Sequence, residues 1–232
     1  MTQAAALQIQ DLKFRYPGAA TGSPWVIDIP ALELAPAEQM LLTGGSGRGK
    51  STLLQLIAGL MDPDSGVVTV SGQDIHALRG ARRDLFRGRA IGMIFQTFNL
   101  LHGFSAMENV MAPMMFSQIP RREHRERARA LLERLGIDRP QARPETMSVG
   151  QQQRIAVARA VACGPALVLA DEPTASLDPE NASIAMELIQ GACTEVGAAL
   201  LCVSHDPAMP TRFERRASFD EIAANAHPAS TI

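Results

Sequence analysis

Residues 7–14, Leu-Gln-Ile-Gln-Asp-Leu-Lys-Phe, alternate apolar and polar positions, the period of a strand with one face on a core and the other in water. Residues 25–29 and 67–70 carry a similar pattern, and Pro17-Gly18 and Asp62-Pro63-Asp64-Ser65-Gly66 punctuate it with turn chemistry. These pieces predict an antiparallel sheet of modest size. Four further segments, 40–43, 91–95, 167–170 and 198–203, are short and almost wholly apolar. That pattern suits strands covered on both faces in a mostly parallel sheet. Helical periodicity predicts helices over 51–60, 105–116, 122–135, 149–163 and 180–195. The first of these is apolar on nearly every side. The pattern as a whole reads as α/β: a parallel core, a β layer and a helical insertion.

The arginine-dense stretch from Arg121 to Leu135 raises the question of a nucleic-acid contact. Its apolar positions Ala128, Leu131, Leu132 and Leu135 fall on one helix face, and Glu123, Glu126 and Glu133 break the positive charge. Glu123 and Arg127 stand at i,i+4, where they can pair. An amphipathic helix with a solvated face accounts for the pattern. A net charge of −2 over 232 residues likewise supplies no field that would favour nucleic acid or an anionic membrane. With 46% apolar residues the chain can build one large core or two small ones. Cys163, Cys193 and Cys202 lie in apolar stretches without metal-ligand spacing and read as reduced, structural thiols. No apolar run approaches the roughly 18–20 residues of a membrane span, and the first residues lack the features of a secretory signal, so a soluble protein is expected.

The run Gly44-Gly45-Ser46-Gly47-Arg48-Gly49-Lys50-Ser51-Thr52 fits G-x-x-x-x-G-K-[ST] between a predicted strand and a predicted helix. Glycines let successive N–H groups curl inward around phosphate oxygens, and the following helix N-terminus adds favourable partial charge. Lys50 would reach the β- and γ-phosphates of ATP, and the Ser51 hydroxyl would ligate Mg²⁺. Only Lys13 and Lys50 are lysines among 22 basic residues, so a lysine in this loop is a deliberate choice of a compact ammonium. Arg48 either lies along the phosphates or points to solvent. Downstream, Asp171 and Glu172 follow the apolar run 167–170, at the strand end where α/β sheets collect ligands. Asp171 is suited to hold Mg²⁺, and Glu172 to polarise an attacking water.

At this point the chain resembles the ABC-type ATPases, the nucleotide-binding subunits of ATP-driven transporters, from about residue 7 to about 207. Tyr16 sits where that family places an aromatic on adenine, with Trp25 a rival for the role. Gln96 matches the glutamine linking the metal site to the transport partner. Met147-Ser148-Val149-Gly150-Gln151 resembles the signature Leu-Ser-Gly-Gly-Gln, Ser176-Leu177-Asp178 the D-loop, and His205 the switch histidine. Residues 95–101, 108–110 and 169–178 are similar to the branch serving lipoprotein release and macrolide export. The resemblance implies a P-loop NTPase fold with an ABC-type core, an antiparallel β-subdomain and a helical subdomain near 97–160. The nucleotide-binding domain is expected over 1–211 and a short tail over 212–232.

The same resemblance implies ATP and Mg²⁺ as cofactors, with Ser51, Gln96 and Asp171 at the metal and Glu172, His205 and Gln96 in catalysis. Ser148 and Gly150 of a second copy would close over the γ-phosphate, Gln151 and Asp178 are implied at the nucleotide as well, and a separate transmembrane permease would be the driven partner. The subunit would then be cytoplasmic and reach the inner membrane only through that partner. A non-transport ABC-type ATPase, or a weakly active regulatory module, is the alternative. Val149 and Met147 depart from the signature, and no strand-and-glycine ending is legible after His205. Met107, Met111, Met114 and Met115 form a patch that reads equally as core filler or as part of a docking surface.

Overall fold

A computed structural model describes residues 4–18, 20, 22–175 and 177–223. The antiparallel layer contains β1 (Leu7–Phe14), β2 (Ile27–Leu34), β4 (Ser65–Val70) and the short β5 (Gln73–Asp74), in the order β2-β1-β4-β5. Alternation in β1 works as expected: Leu7, Ile9, Leu12 and Phe14 are buried. The strand predicted over 25–29 begins later and continues to Leu34, through Pro30, which β2 accommodates because it lies at the sheet edge.

The second layer holds β3 (Gln39–Thr43), β6 (Ile91–Ile94), β7 (Leu167–Asp171), β8 (Ala199–Ser204) and β9 (Arg215–Ser218) in the order β6-β7-β8-β3-β9. Its pairings are all parallel. Every residue of β8 is buried, as a strand covered on both faces requires. Helix α1 (Lys50–Ile57) buries Leu53, Leu54, Leu56 and Ile57 in the core that this sheet shares with the antiparallel layer, so its apolar residues on every side have a cause. It stops short of residue 60, where Ala58 caps it and Gly59 turns left-handed.

Helices α5 (Val149–Val161) and α6 (Pro179–Val196) cover the other face of the parallel sheet. A third core joins α3 (Ala106–Met111), α4 (Arg121–Arg134) and α5. Ala128 and Leu132 of α4 are buried there, with Leu131 and Leu135 partly so. Arg127 does not pair with Glu123; it donates to the Ala162 carbonyl at 2.7 Å. Met107 and Met114 are buried and Met115 is 65% exposed, so the methionine patch divides between core and surface.

Besides the two-residue β5, the periodic pattern missed two α-helices and one strand. Helix α2 (Ala81–Ala90) carries four arginines and buries only Phe86 and Ala90. Strand β9, Arg-Arg-Ala-Ser, has no apolar run, yet it pairs with β3 along its whole length. The one-turn α7 (Phe219–Ile222) follows it, capped by Ser218, and Phe219 enters the core. The tail expected from residue 212 therefore supplies a sheet strand and a core side chain. Residues 224–232 of that tail, and Ser176, lie outside the described residues.

Cys193 and Cys202 are fully buried, and burial pushes the Cys193 thiol up to about 12 and raises that of Cys202 as well. Half-buried Cys163 should be the one thiol alkylated in native protein, slowly, with the others reacting only after denaturation. A Cβ on Gly92 of β6 would meet the Ala160 carbonyl oxygen at 2.2 Å, so Gly92→Ala should cost about 3 kcal/mol and lower Tm by roughly 6–12 °C. Gly191, inside α6 with nothing near its would-be Cβ, is the control: Gly191→Ala should stabilise by about 0.5–1 kcal/mol. Calorimetry of the two variants checks both signs.

Candidate functional site

Strand β3 ends at Thr43 and α1 starts at Lys50, so the glycine-rich run 44–49 bridges the strand's carboxyl end and the helix N-terminus. Gly47 and Gly49 adopt φ of 76° and 95°, a conformation in which a side chain would be strained. At Gly49 an added Cβ would also come to 3.0 Å of the Val26 carbonyl. Lys50 is buried and folds back over the loop, donating to the Gly44 and Gly45 carbonyls at 2.7 and 2.9 Å. Its ammonium lies 3.6 Å from Glu172.

Parallel pairing brings the acids to the same place. Asp171 stands opposite Val203, and the Glu172 N–H donates to the Val203 carbonyl, extending the β7–β8 ladder by one step. Glu172 is left-handed, with φ of 46°, a costly state for a non-glycine residue. Its carboxylate accepts from the His205 Nδ1 at 2.8 Å and from the His205 N–H at 3.2 Å. The Ser51 hydroxyl donates to Asp171 at 3.0 Å. Burial raises the Asp171 pKa and the neighbouring Glu172 charge adds to the rise, against the lowering effects of Ser51 and Lys50.

A cavity of about 350 Å³ opens among these groups, lined by Ser46, Gly47, Gly49, Lys50, Ser51, Thr52, Glu172 and His205. Gln96, just past β6, and Tyr16, just past β1, line it too. Tyr16 is half exposed, stands edge-on to Phe14, and shares a 2.7 Å hydrogen bond between its hydroxyl and that of Thr52. Trp25, the rival aromatic, has the Arg15 guanidinium 3.7 Å from its ring centre and does not line the cavity. Val26 does, although no motif marks it.

The Arg48 guanidinium lies 3.8 Å from Asp220 on α7, both side chains partly exposed. Behind the loop, Phe219 packs where a Cβ on Gly44 would be 3.1 Å away. Sequence reading missed this backing because Phe219 lies far downstream in a segment without periodicity. The remaining predicted residues do not reach this chain's cavity. Ser148 caps α5 in a reciprocal box with Gln151, and beside it Val149 is 52% exposed and Gly150 exposed. Asp178 caps α6, accepting from the Asn181 N–H.

The sequence profile of the family described as ABC transporter matches residues 28–175. The chain belongs to this family, and it is an ATP-binding and ATP-hydrolysing subunit of that class. It is 39% identical over 216 residues to the lipoprotein-releasing system ATP-binding protein LolD of Pseudomonas fluorescens, covering 93% of this chain and 95% of that one. The protein of the same name from Pseudomonas syringae pv. tomato is 41% identical over 185 residues, 79% of this chain and 82% of its own. Among solved structures, the dimeric post-hydrolysis state of the ATP-binding cassette MJ0796 bound to ADP and Pi superposes with a TM-score of 0.79 at 30% identity, covering 91% and 93% of the two chains. CbiO1 from Clostridium perfringens, part of the ABC transporter complex cbiONQ, gives 0.79 at 26% identity over 92% and 84%.

Gly49→Ala should fold yet lose MgATP affinity by about tenfold or more, because the loop must abandon its left-handed turn or push Val26 aside. Titration with a fluorescent ATP analogue reads this directly; unchanged affinity would contradict it.

Proposed function

We propose that two copies of this chain close head to tail over two ATP molecules and thereby drive a separate membrane permease. One observation carries the reading. Lys50, Ser51, Gln96, Glu172 and His205 share a cavity, whereas Ser148, Gly150 and Asp178 sit at exposed helix starts outside it. A second copy placed against the cavity would bring those helix starts to the nucleotide. The dimeric form in which MJ0796 was solved supports this arrangement.

In this reading the loop N–H groups and Lys50 cradle the triphosphate, and Tyr16 stacks on the adenine. Lys50 exchanges its Gly44 and Gly45 carbonyls for phosphate oxygens. Glu172, already held by the His205 ring and backbone, orients and polarises the attacking water. The exposed Ser148 and Gly150 of the second copy close on the γ-phosphate. Hydrolysis then removes the group that both copies grip, and the pair opens.

The Ser51 hydroxyl and the Asp171 carboxylate, 3.0 Å apart, with the Gln96 carboxamide nearby, form an all-oxygen donor set that fits Mg²⁺. Among the described residues no cluster of three or more His, Cys, Asp or Glu side chains could hold a metal alone, so the ion would arrive with the nucleotide. Bound there, Mg²⁺ would neutralise charge on the phosphates.

Among the described residues no helix is long and apolar enough to cross a membrane. We infer attachment on the cytoplasmic side through the permease. An apolar groove of about 510 Å³, lined by Leu60, Met93, Phe95, Pro113 and Phe116 among others, is the seat we assign to it, beside exposed Met115. The names of the relatives favour a lipoprotein or similar peptide as cargo.

Glu172→Gln should bind MgATP and hydrolyse it about 10²–10⁴-fold more slowly, and should elute as a dimer when MgATP is present. Adding Ser148→Arg should return the elution to that of a monomer. Wild-type turnover in the first variant, or a dimer in the second, contradicts the split site. Lys50→Ala should lose most nucleotide affinity. Capture from membranes should bring down a multi-span protein, and Phe116→Asp should release it.

A further inference from the structure

Between Gln96 and α3 the chain makes a turn that its residues do not favour. Phe98 and Asn99 are both left-handed, with φ of 59° and 47°, and Phe98 is an almost fully buried aromatic. Such a conformation costs free energy for any residue with a side chain and most for a bulky one. Local bonds help only in part: the Phe98 N–H donates to the Phe95 carbonyl, the Asn99 N–H to the Thr97 carbonyl, and the Thr97 hydroxyl to the Asn99 side chain.

A further support comes from a distant element. The Arg159 guanidinium, near the carboxyl end of α5, donates to the Asn99 and Phe98 carbonyls, each at 2.6 Å. Two successive left-handed residues turn their carbonyls to one side, where a planar fork can take both. An ammonium has no such geometry. Among the described residues no carboxylate lies within ion-pair distance of Arg159, and its burial lowers the guanidinium pKa. The loop carbonyls are therefore its principal electrostatic partners. The other end of α5 begins at Ser148, and Arg159 also lines the apolar groove beside Phe95.

We propose that Arg159 is a positioning residue, clamping the left-handed turn behind Gln96 and making that loop move with the Ser148 helix. The proposal rests on Gln96 and Ser148 acting in the ATP site as argued above. Arg159 does not line the ATP cavity; it acts by fixing where the backbone after Gln96 runs. A helix shift transmitted from the groove or from the second copy would then reach Gln96 through two hydrogen bonds.

Hydrogen exchange read by mass spectrometry on the full chain, with ATP turnover of the same preparations, tests this. In Arg159→Met, exchange in peptides covering residues 97–101 should rise about tenfold or more while those of β7 and β8 stay unchanged. Turnover should fall about tenfold with KM for ATP within about twofold of wild type. Arg159→Lys keeps charge and stem and should show a smaller change in both; it carries the test should the methionine variant fail to fold. Unchanged exchange at 97–101, a rise shared equally by β7 and β8, or a rise without loss of turnover each overturns the proposal. If wild-type protein fails to bind a fluorescent ATP analogue, the reading of the site falls, while the exchange result still decides whether Arg159 clamps the loop.

Discussion

A buried ammonium between backbone carbonyls and a carboxylate organises this molecule's working end. Lys50 has left water, and the cost of that transfer is offset by the Gly44 and Gly45 carbonyls and by Glu172. Each of those partners needs its own support. The carbonyls are presented by a loop that only glycine can form, and Glu172 is held by His205 in a left-handed state. The arrangement is satisfied without nucleotide, yet every partner of Lys50 is one that a phosphate, with more negative charge, can replace.

The sheet makes this convergence possible. Strands β3, β7 and β8 are parallel, so their carboxyl ends emerge together and deliver the loop, the acids and His205 to one rim. Helix α1 fills the space between the two sheets and fixes the loop's far end. Close packing of α5 on β6, which Gly92 permits, sets where the signature helix lies relative to Gln96. Half of the six non-glycine residues at positive φ among the described residues lie on or beside this rim, namely Glu172, Phe98 and Asn99.

Much of this was legible in the chain because the chemistry leaves periodic or spaced marks. Alternation found β1, uniform apolarity found β3, β6, β7 and β8, and the glycine-lysine run found the phosphate loop. What stayed hidden had no such mark. Strand β9 is built from arginines on a sheet edge, where burial does not impose an apolar pattern. Helix α2 rests on two buried residues. The fate of Arg48 depended on Asp220, a partner 172 positions away that no spacing rule connects to it. That Tyr16 lines the cavity while Trp25 does not, its ring lying under Arg15, is likewise a tertiary fact.

The late position of β9 bears on how the protein is made. Strand β3 lies between β8 and β9, both drawn from the last quarter of the described chain, and Phe219 forms the backing of the phosphate loop. During synthesis the loop therefore leaves the ribosome long before any of its sheet neighbours exist. Long-range parallel pairing of this kind is slow, because distant segments must meet before any contact rewards them. The nascent phosphate loop has Val26 beside it but neither sheet neighbours nor floor until residues 199–219 have emerged, so nucleotide capture becomes one of the final acts of folding.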